Sequence, residues 1–156
     1  MDVFAYTASF ARGVVPCFPT QVIMSDTQVF LDTLHASIVD IERWLSGADA
    51  GPAALDALLA PFAPRFTVIL TDGRMLDFAG WRMLLERLSG AKPGLHITLS
   101  DIHVLAADDR HATIAYLEAQ HAAAGELPAR RGTALFERDA AGAVRWIHLQ
   151  ETFCAV

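Results

Sequence analysis

Only one lysine occurs in this chain of 156 residues, at position 92; the other eleven basic side chains are arginines, scattered without a stripe or a polybasic tail. Acidic residues outnumber basic ones by 18 to 12, for a formal net charge of −6. That balance lacks the electrostatic footprint of a nucleic-acid groove or of an anionic-membrane surface, so neither is expected as a partner. Cysteine is scarce too. Cys17 and Cys154 are far apart, fit no metal-ligand spacing, and read as free thiols of a reducing, cytoplasmic compartment. No run approaches the roughly 18 uncharged apolar residues of a membrane span. The first residues are apolar in places, but no basic stretch precedes them, and Arg12, Pro16 and Pro19 interrupt them, so a secretory signal is not expected. There is no glycine-rich phosphate loop and no nucleophile elbow. His35, His96, His103, His111 and His121 stand in no ligand-like arrangement, so neither a metal nor a cofactor is expected.

What is present is apolar. With 53% hydrophobic residues and a mean hydropathy of +0.33, the chain can bury one sizeable core. Residues 1–23 read as an N-terminal extension, and 24–156 as a single domain whose first helix starts where Ser25 and Gln28 form a capping box. Leu31, Leu34, Ile38, Ile41 and Leu45 then draw one stripe along a helix that Gly47 ends. Pro52 opens a second, short helix carrying Leu55, Leu58 and Leu59, and Pro61 and Pro64 stop it. Residues 65–71 are rich in β-branched side chains and read as a strand. Asp72-Gly73 is a two-residue hairpin signal that folds Met75-Leu76 back onto it. Asp77 caps a third helix over 78–88, closed by Gly90.

From Leu95 to Phe153 the chain reads as four consecutive strands separated by turns at 108–109, 124–125 and 141–142. In the first of them the apolar positions run 95, 97, 99 and then 102, 104, a slip of phase that a β-bulge near Ser100-Asp101 explains. The other three place polar residues at every second position: Tyr116, Glu118 and Gln120; Arg131 and Thr133; Trp146, His148, Gln150 and Thr152. Side chains on a strand alternate between faces, so each set points one way and together they predict a polar lining inside an apolar protein. Helices first and a curved antiparallel sheet afterwards make an α+β domain with the helices on one face.

The order of helix, short helix, strand, Asp-Gly hairpin, helix and four long strands resembles the nuclear-transport-factor-like superfamily. Within it the chain looks most like the small SnoaL-like domains and the association domain of calmodulin-dependent kinase II. The resemblance spans roughly residues 25–153 and rests on the segments 113–118, 130–136 and 145–152. It implies a cystatin-like cone with a pocket between helices and bent sheet, a small, mostly apolar ligand, and, if a reaction occurs, isomerase-, cyclase- or lyase-like acid–base chemistry. The steroid-isomerase branch carries an Asp base where this chain has Leu70, and a Tyr on a first helix that has none here. The pair of Asp around an Arg of the epoxide hydrolases has no match either.

Glu118 and His148 are the expected acid–base pair, because a His titrates near neutrality and a carboxylate in an apolar cavity can be pushed toward working pH; alternatively they satisfy each other as a buried hydrogen-bonded pair. Tyr116, Gln120, Arg131, Thr133, Trp146 and Gln150 are the expected ligand-contacting residues. Arg131 either pairs with Glu118 or grips an anionic ligand, and Arg130 points away. Leu117, Leu149, Glu151 and Phe153 are expected on the outer sheet face, where a second copy could pair to make a homodimer. An oligomerisation module without a ligand is the rival reading.

Overall fold

A computed structural model describes residues 20–154, with side chains described from Thr27 onward. The expected extension therefore lies outside the described residues over 1–19, as does Cys17, while Cys154 has no disulfide partner among the described residues. Three helices, α1 (Thr20–Ser46), α2 (Pro52–Leu59) and α3 (Phe78–Arg87), pack on six strands: β1 (Phe62–Ile69), β2 (Met75–Asp77), β3 (His96–Ala107), β4 (His111–Ala122), β5 (Gly125–Arg138) and β6 (Val144–Phe153). The capping expectation at Ser25 is corrected, since α1 begins at Thr20 and carries Ser25 within it. No glycine or proline separates Pro19 from Ser25, so nothing stops the helix from running back.

The buried stripe of α1 holds Phe30, Leu34, Ser37, Ile38, Trp44 and Leu45, at the three- and four-residue spacings of one helix face. Ser37 is tolerated there because it accepts a hydrogen bond from Trp146 Nε1 at 3.0 Å. Trp44 Nε1 likewise donates to the Leu85 carbonyl at 2.7 Å, which ties α1 to α3. Pro52 sits in the first turn of α2 and Asp77 caps α3 by accepting from the Gly80 amide at 2.8 Å, as the sequence predicts.

The sheet runs β2-β1-β6-β5-β4-β3. Every pairing is antiparallel but one: β6 returns to lie parallel to β1, with Thr67 opposite His148 and Val68 opposite Leu149. β1 starts earlier than its β-branched run suggests, and its pairing with β6 is interrupted between Phe62 and Thr67, where Pro64 has no N–H to donate. The expected bulge in β3 is present: the register with β4 slips between Ser100 and His103, and Asp101 takes a left-handed conformation with φ 51°. Two further slips matter more, one between Glu118 and Gln120 on β4, the other between Leu135 and Phe136 on β5, where β6 passes from Trp146 to His148.

Candidate functional site

The second of those slips decides which face the end of the chain presents. Phe136 lies opposite Trp146 and Leu135 opposite His148, so Ile147 is an extra residue that reverses the alternation of β6. Trp146 is buried, as expected, but beyond the bulge the inward residues are Leu149 and Glu151 rather than His148, Gln150 and Thr152. On β5 the buried residues are Gly132, Ala134 and Phe136, which puts Arg130 on the inner face and Arg131 and Thr133 outside.

Five expectations are thereby corrected. His148 is not beside Glu118; it sits on the outer face, where Nδ1 is 2.8 Å from the Thr67 hydroxyl. Arg131 is exposed and pairs with Asp101 at 2.8 Å. Thr133 and Gln150 are exposed on the same outer face. Arg130 points in, not away. Leu149 and Glu151 line the interior instead of the outside. Tyr116, Glu118, Gln120 and Trp146 are buried as the alternation requires.

Tyr116, Glu118 and Trp146, with Arg130 and Glu151, line a cavity of about 110 Å³ between the helices and the sheet, whereas Gln120, an expected ligand contact, lies behind Glu118 and is not part of its lining. Ile38, Ile41 and Leu45 of α1 and Leu84, Leu85 and Leu88 at the α3 side supply its apolar walls, with Phe62, Leu70, Trp81, Trp146 and Leu149 below them. The polar end is a connected array. Glu118, only 2% exposed, accepts at Oε1 from Arg130 Nε at 3.0 Å, Arg130 Nη2 at 2.9 Å and Gln120 Nε2 at 2.5 Å. Arg130 Nη1 donates to Glu151 Oε2 at 3.1 Å, and Lys92, the one lysine, donates from Nζ to Gln120 Oε1 at 2.8 Å. Register explains the pairing, because Arg130 lies directly opposite Glu118.

Burial shapes the titration of this array. Burial pushes the Glu151 carboxyl above its ordinary value against the pull of Arg130, with Glu118 adding to the rise. For Arg130 burial opposes the charge, but Glu151 and Glu118 outweigh it and the guanidinium is held above its usual range. The Lys92 ammonium is pushed down by burial and then by Arg130. Tyr116 is raised well above an ordinary phenol, chiefly by burial and then by Glu151, so it stays protonated.

Tyr116 occupies a cross-strand row with Gly132 and Glu151. A Cβ at Gly132 would lie 2.4 Å from Tyr116 Cζ and 2.6 Å from its hydroxyl oxygen, so glycine is required for the ring to lie across β5. Neither Tyr116 Oη nor Trp81 Nε1, both buried and both at the cavity wall, has a hydrogen-bond partner among the described residues. Such groups are rare in folded proteins and cost free energy when left unmatched. Trp81, Arg130 and Glu151 were missed in the sequence. The signal for Arg130 was available, because the apolar positions Ala134 and Phe136 extrapolate back to 130, not 131. Among the described residues, no group of three or more His, Cys, Asp or Glu is placed to hold a metal ion.

A scan against protein-family models and a search of curated proteins each found no match. Solved structures do match. An NTF-2-like protein of unknown function from Pseudomonas aeruginosa is 38% identical, with a TM-score of 0.76 over 81% of this chain and 99% of that one. A protein with a cystatin-like fold from Caulobacter vibrioides is 14% identical, with a TM-score of 0.62 over 84% of this chain and 91% of that one. The association domain of C. elegans CaMKII is 11% identical, with a TM-score of 0.67 over 85% of this chain and 99% of that one. The last two establish a shared fold; the first, by its identity and coverage, shows that this chain belongs to the NTF-2-like proteins.

Proposed function

We propose that the protein binds a small, mostly apolar molecule in the cavity between α1, α3 and the sheet, and that the buried carboxylates there equip it for general acid–base chemistry on that molecule. The observation that carries this reading is a cavity with apolar walls whose lining residues include Tyr116 and Trp81, the buried Oη and Nε1 of which have no hydrogen-bond partner among the described residues. Its volume is below the roughly 150 Å³ of an engineered cavity that takes benzene, so a ligand of about four non-hydrogen atoms fits without movement. A larger one requires the half-buried rim residues Ile41, Leu84 and Leu88 to shift. Glu118 and Glu151 are the acid–base candidates. His148, on the outer face, is not among them.

The test is a thermal-shift and NMR screen of small apolar ketones, alcohols, esters and hydrocarbons, repeated on Leu84→Trp, which fills the cavity. Binders are expected to raise the melting midpoint of the native protein and to lose that effect in Leu84→Trp. Shifts that persist in the filled variant, or silence across the panel, overturn the reading.

A homodimer through the outer sheet face is compatible with the same site. Among the described residues no helix covers the face that carries Leu117, Leu135 and His148, and a neighbour of the same fold is an association domain. Leu149 does not contribute to that face, which leaves it more polar than the sequence suggests. Light scattering at two concentrations is expected to give twice the chain mass, and Leu117→Glu the mass of one chain. A single-chain mass for the native protein refutes the dimer. Among the described residues no helix is long and apolar enough to cross a membrane; a cytoplasmic location is part of the same proposal, consistent with Cys154 having no disulfide partner among those residues.

A further inference from the structure

The polar end of the cavity holds two carboxylates, Glu118 and Glu151, both ion-paired to Arg130, and a second cation, Lys92, which balances the charge and donates to the Gln120 amide oxygen. Arg130 turns both Nε and Nη2 to Glu118 and Nη1 to Glu151, so the edge that would grip a carboxylate bidentately is occupied. An anion entering here would add uncompensated negative charge to a buried array in balance. The groups still lacking partners are of a different kind. Trp81 Nε1 can only donate. Tyr116 stays protonated and offers its hydroxyl in the same cross-strand row as Glu151, so an anion placed at that hydroxyl would also lie beside a carboxylate.

We propose that the pocket selects small neutral molecules with one hydrogen-bond-accepting oxygen, such as a ketone, aldehyde or lactone, Tyr116 donating to that oxygen and Glu151 excluding carboxylates. This inference rests on the reading of the cavity as a ligand site and adds the class of ligand. Tyr116 determines specificity by direct contact. Glu151 does so by keeping Arg130 engaged and the array neutral, and the two roles separate experimentally.

Cyclopentanone, methylcyclopentane and cyclopropanecarboxylate have the same number of non-hydrogen atoms and differ in polar group. Each is titrated by NMR, at a pH where the carboxylate is ionised, into the native protein, Tyr116→Phe and Glu151→Gln. Native protein is expected to bind the ketone and the hydrocarbon and to reject the carboxylate. Tyr116→Phe weakens the ketone about tenfold, the equivalent of one net hydrogen bond, and leaves the hydrocarbon unchanged. Glu151→Gln gives the array a net positive charge and releases one edge of Arg130. In that variant the carboxylate gains at least about tenfold while the hydrocarbon is unaffected. Native protein that takes the carboxylate as tightly as the ketone overturns the selectivity, as does a ketone indifferent to Tyr116→Phe or a carboxylate still rejected by Glu151→Gln. In those outcomes hydrocarbon binding leaves the pocket itself standing. If none of the three probes perturbs cavity-lining resonances in any of the proteins, the pocket reading fails together with the selectivity.

Discussion

Replacing Tyr116 by phenylalanine should make the protein more stable. The side chain is 1% exposed, and its hydroxyl has no partner among the described residues. The ring is held independently of that hydroxyl, because it lies across Gly132, where even a Cβ would sit 2.4 Å from Cζ. Removing one oxygen therefore leaves the packing of the ring intact and relieves the desolvation of an unmatched polar group, which costs about 1–3 kcal/mol when fully buried. The cavity beside it offers some solvation, so the lower end applies and the expected gain is about 1 kcal/mol. For a chain of this size that corresponds to a rise in Tm of roughly 2–4 °C. Urea unfolding followed by circular dichroism measures it directly, as a higher midpoint at unchanged m. A loss of more than about 1 kcal/mol would show that the hydroxyl makes a stabilising contact in the folded protein. It would remove the premise that this group is kept for a ligand.

Gly132→Ala should destabilise by about 1–3 kcal/mol through overpacking against the Tyr116 ring, and much of that loss should vanish in a Tyr116→Ala background, as a double-mutant cycle in urea would reveal. Glu118→Gln should cost about 2–3 kcal/mol, since Arg130 would keep only Glu151 as a charged partner in a buried array; unchanged stability would mean that the array is not formed. His148→Ala loses one hydrogen bond to Thr67 on the outer face, worth about 1 kcal/mol, and should leave ligand titrations unchanged, whereas a loss of binding would place that face at the site. For pH, the Glu151 carboxyl is raised in the folded state above its ordinary value of 4.5, so the folded protein holds that proton more tightly than the unfolded chain. Its contribution is complete below 4.5 and is lost as pH rises through the folded value. Glu151→Gln should therefore gain on the native protein as pH rises from about 4 toward 8 in paired urea titrations. Taking that difference cancels Asp72, Asp101 and Glu137, which are depressed by exposed partners and act in the opposite direction. A difference that is flat or falls with pH refutes the assignment.

Most of the architecture was legible because its signals are local. The α1 stripe, Pro52, the Asp77 cap and the phase slip at Ser100-Asp101 each declare themselves within a few residues, and each is where the sequence puts it; Asp72-Gly73 does turn Met75 and Leu76 back onto β1, but Leu70 pairs with Arg74, so the loop spans residues 71–73 rather than two residues. The site was half legible for the opposite reason. Tyr116, Glu118 and Gln120 precede the β4 irregularity or border it, and alternation places them correctly. In β6 the polar residues at 146, 148, 150 and 152 suggest one continuous face, and no glycine, proline or aspartate marks Ile147 as the residue that breaks it. A bulge is fixed by what the neighbouring strand needs, so the turn from His148 to Leu149 and Glu151 is a tertiary effect. The parallel return of β6 onto β1 is equally invisible in either strand alone.

That return also governs the order in which the molecule can be completed. β1 waits between β2 and an empty edge until β6 has been made, with 81 residues between Thr67 and His148, and Ser37 of α1 waits longer for Trp146, 109 residues on. During synthesis α1 and β1 can meet α2, α3, β2 and β3 first, but the core they share is completed only when β6 has left the ribosome, so the chain closes late. Loss of residues 144–153 would remove an interior strand of the sheet rather than trim an end. Nascent chains of this protein are thus expected to depend on chaperones until β6 has emerged, a cost that comes with joining the beginning of a sheet to its end.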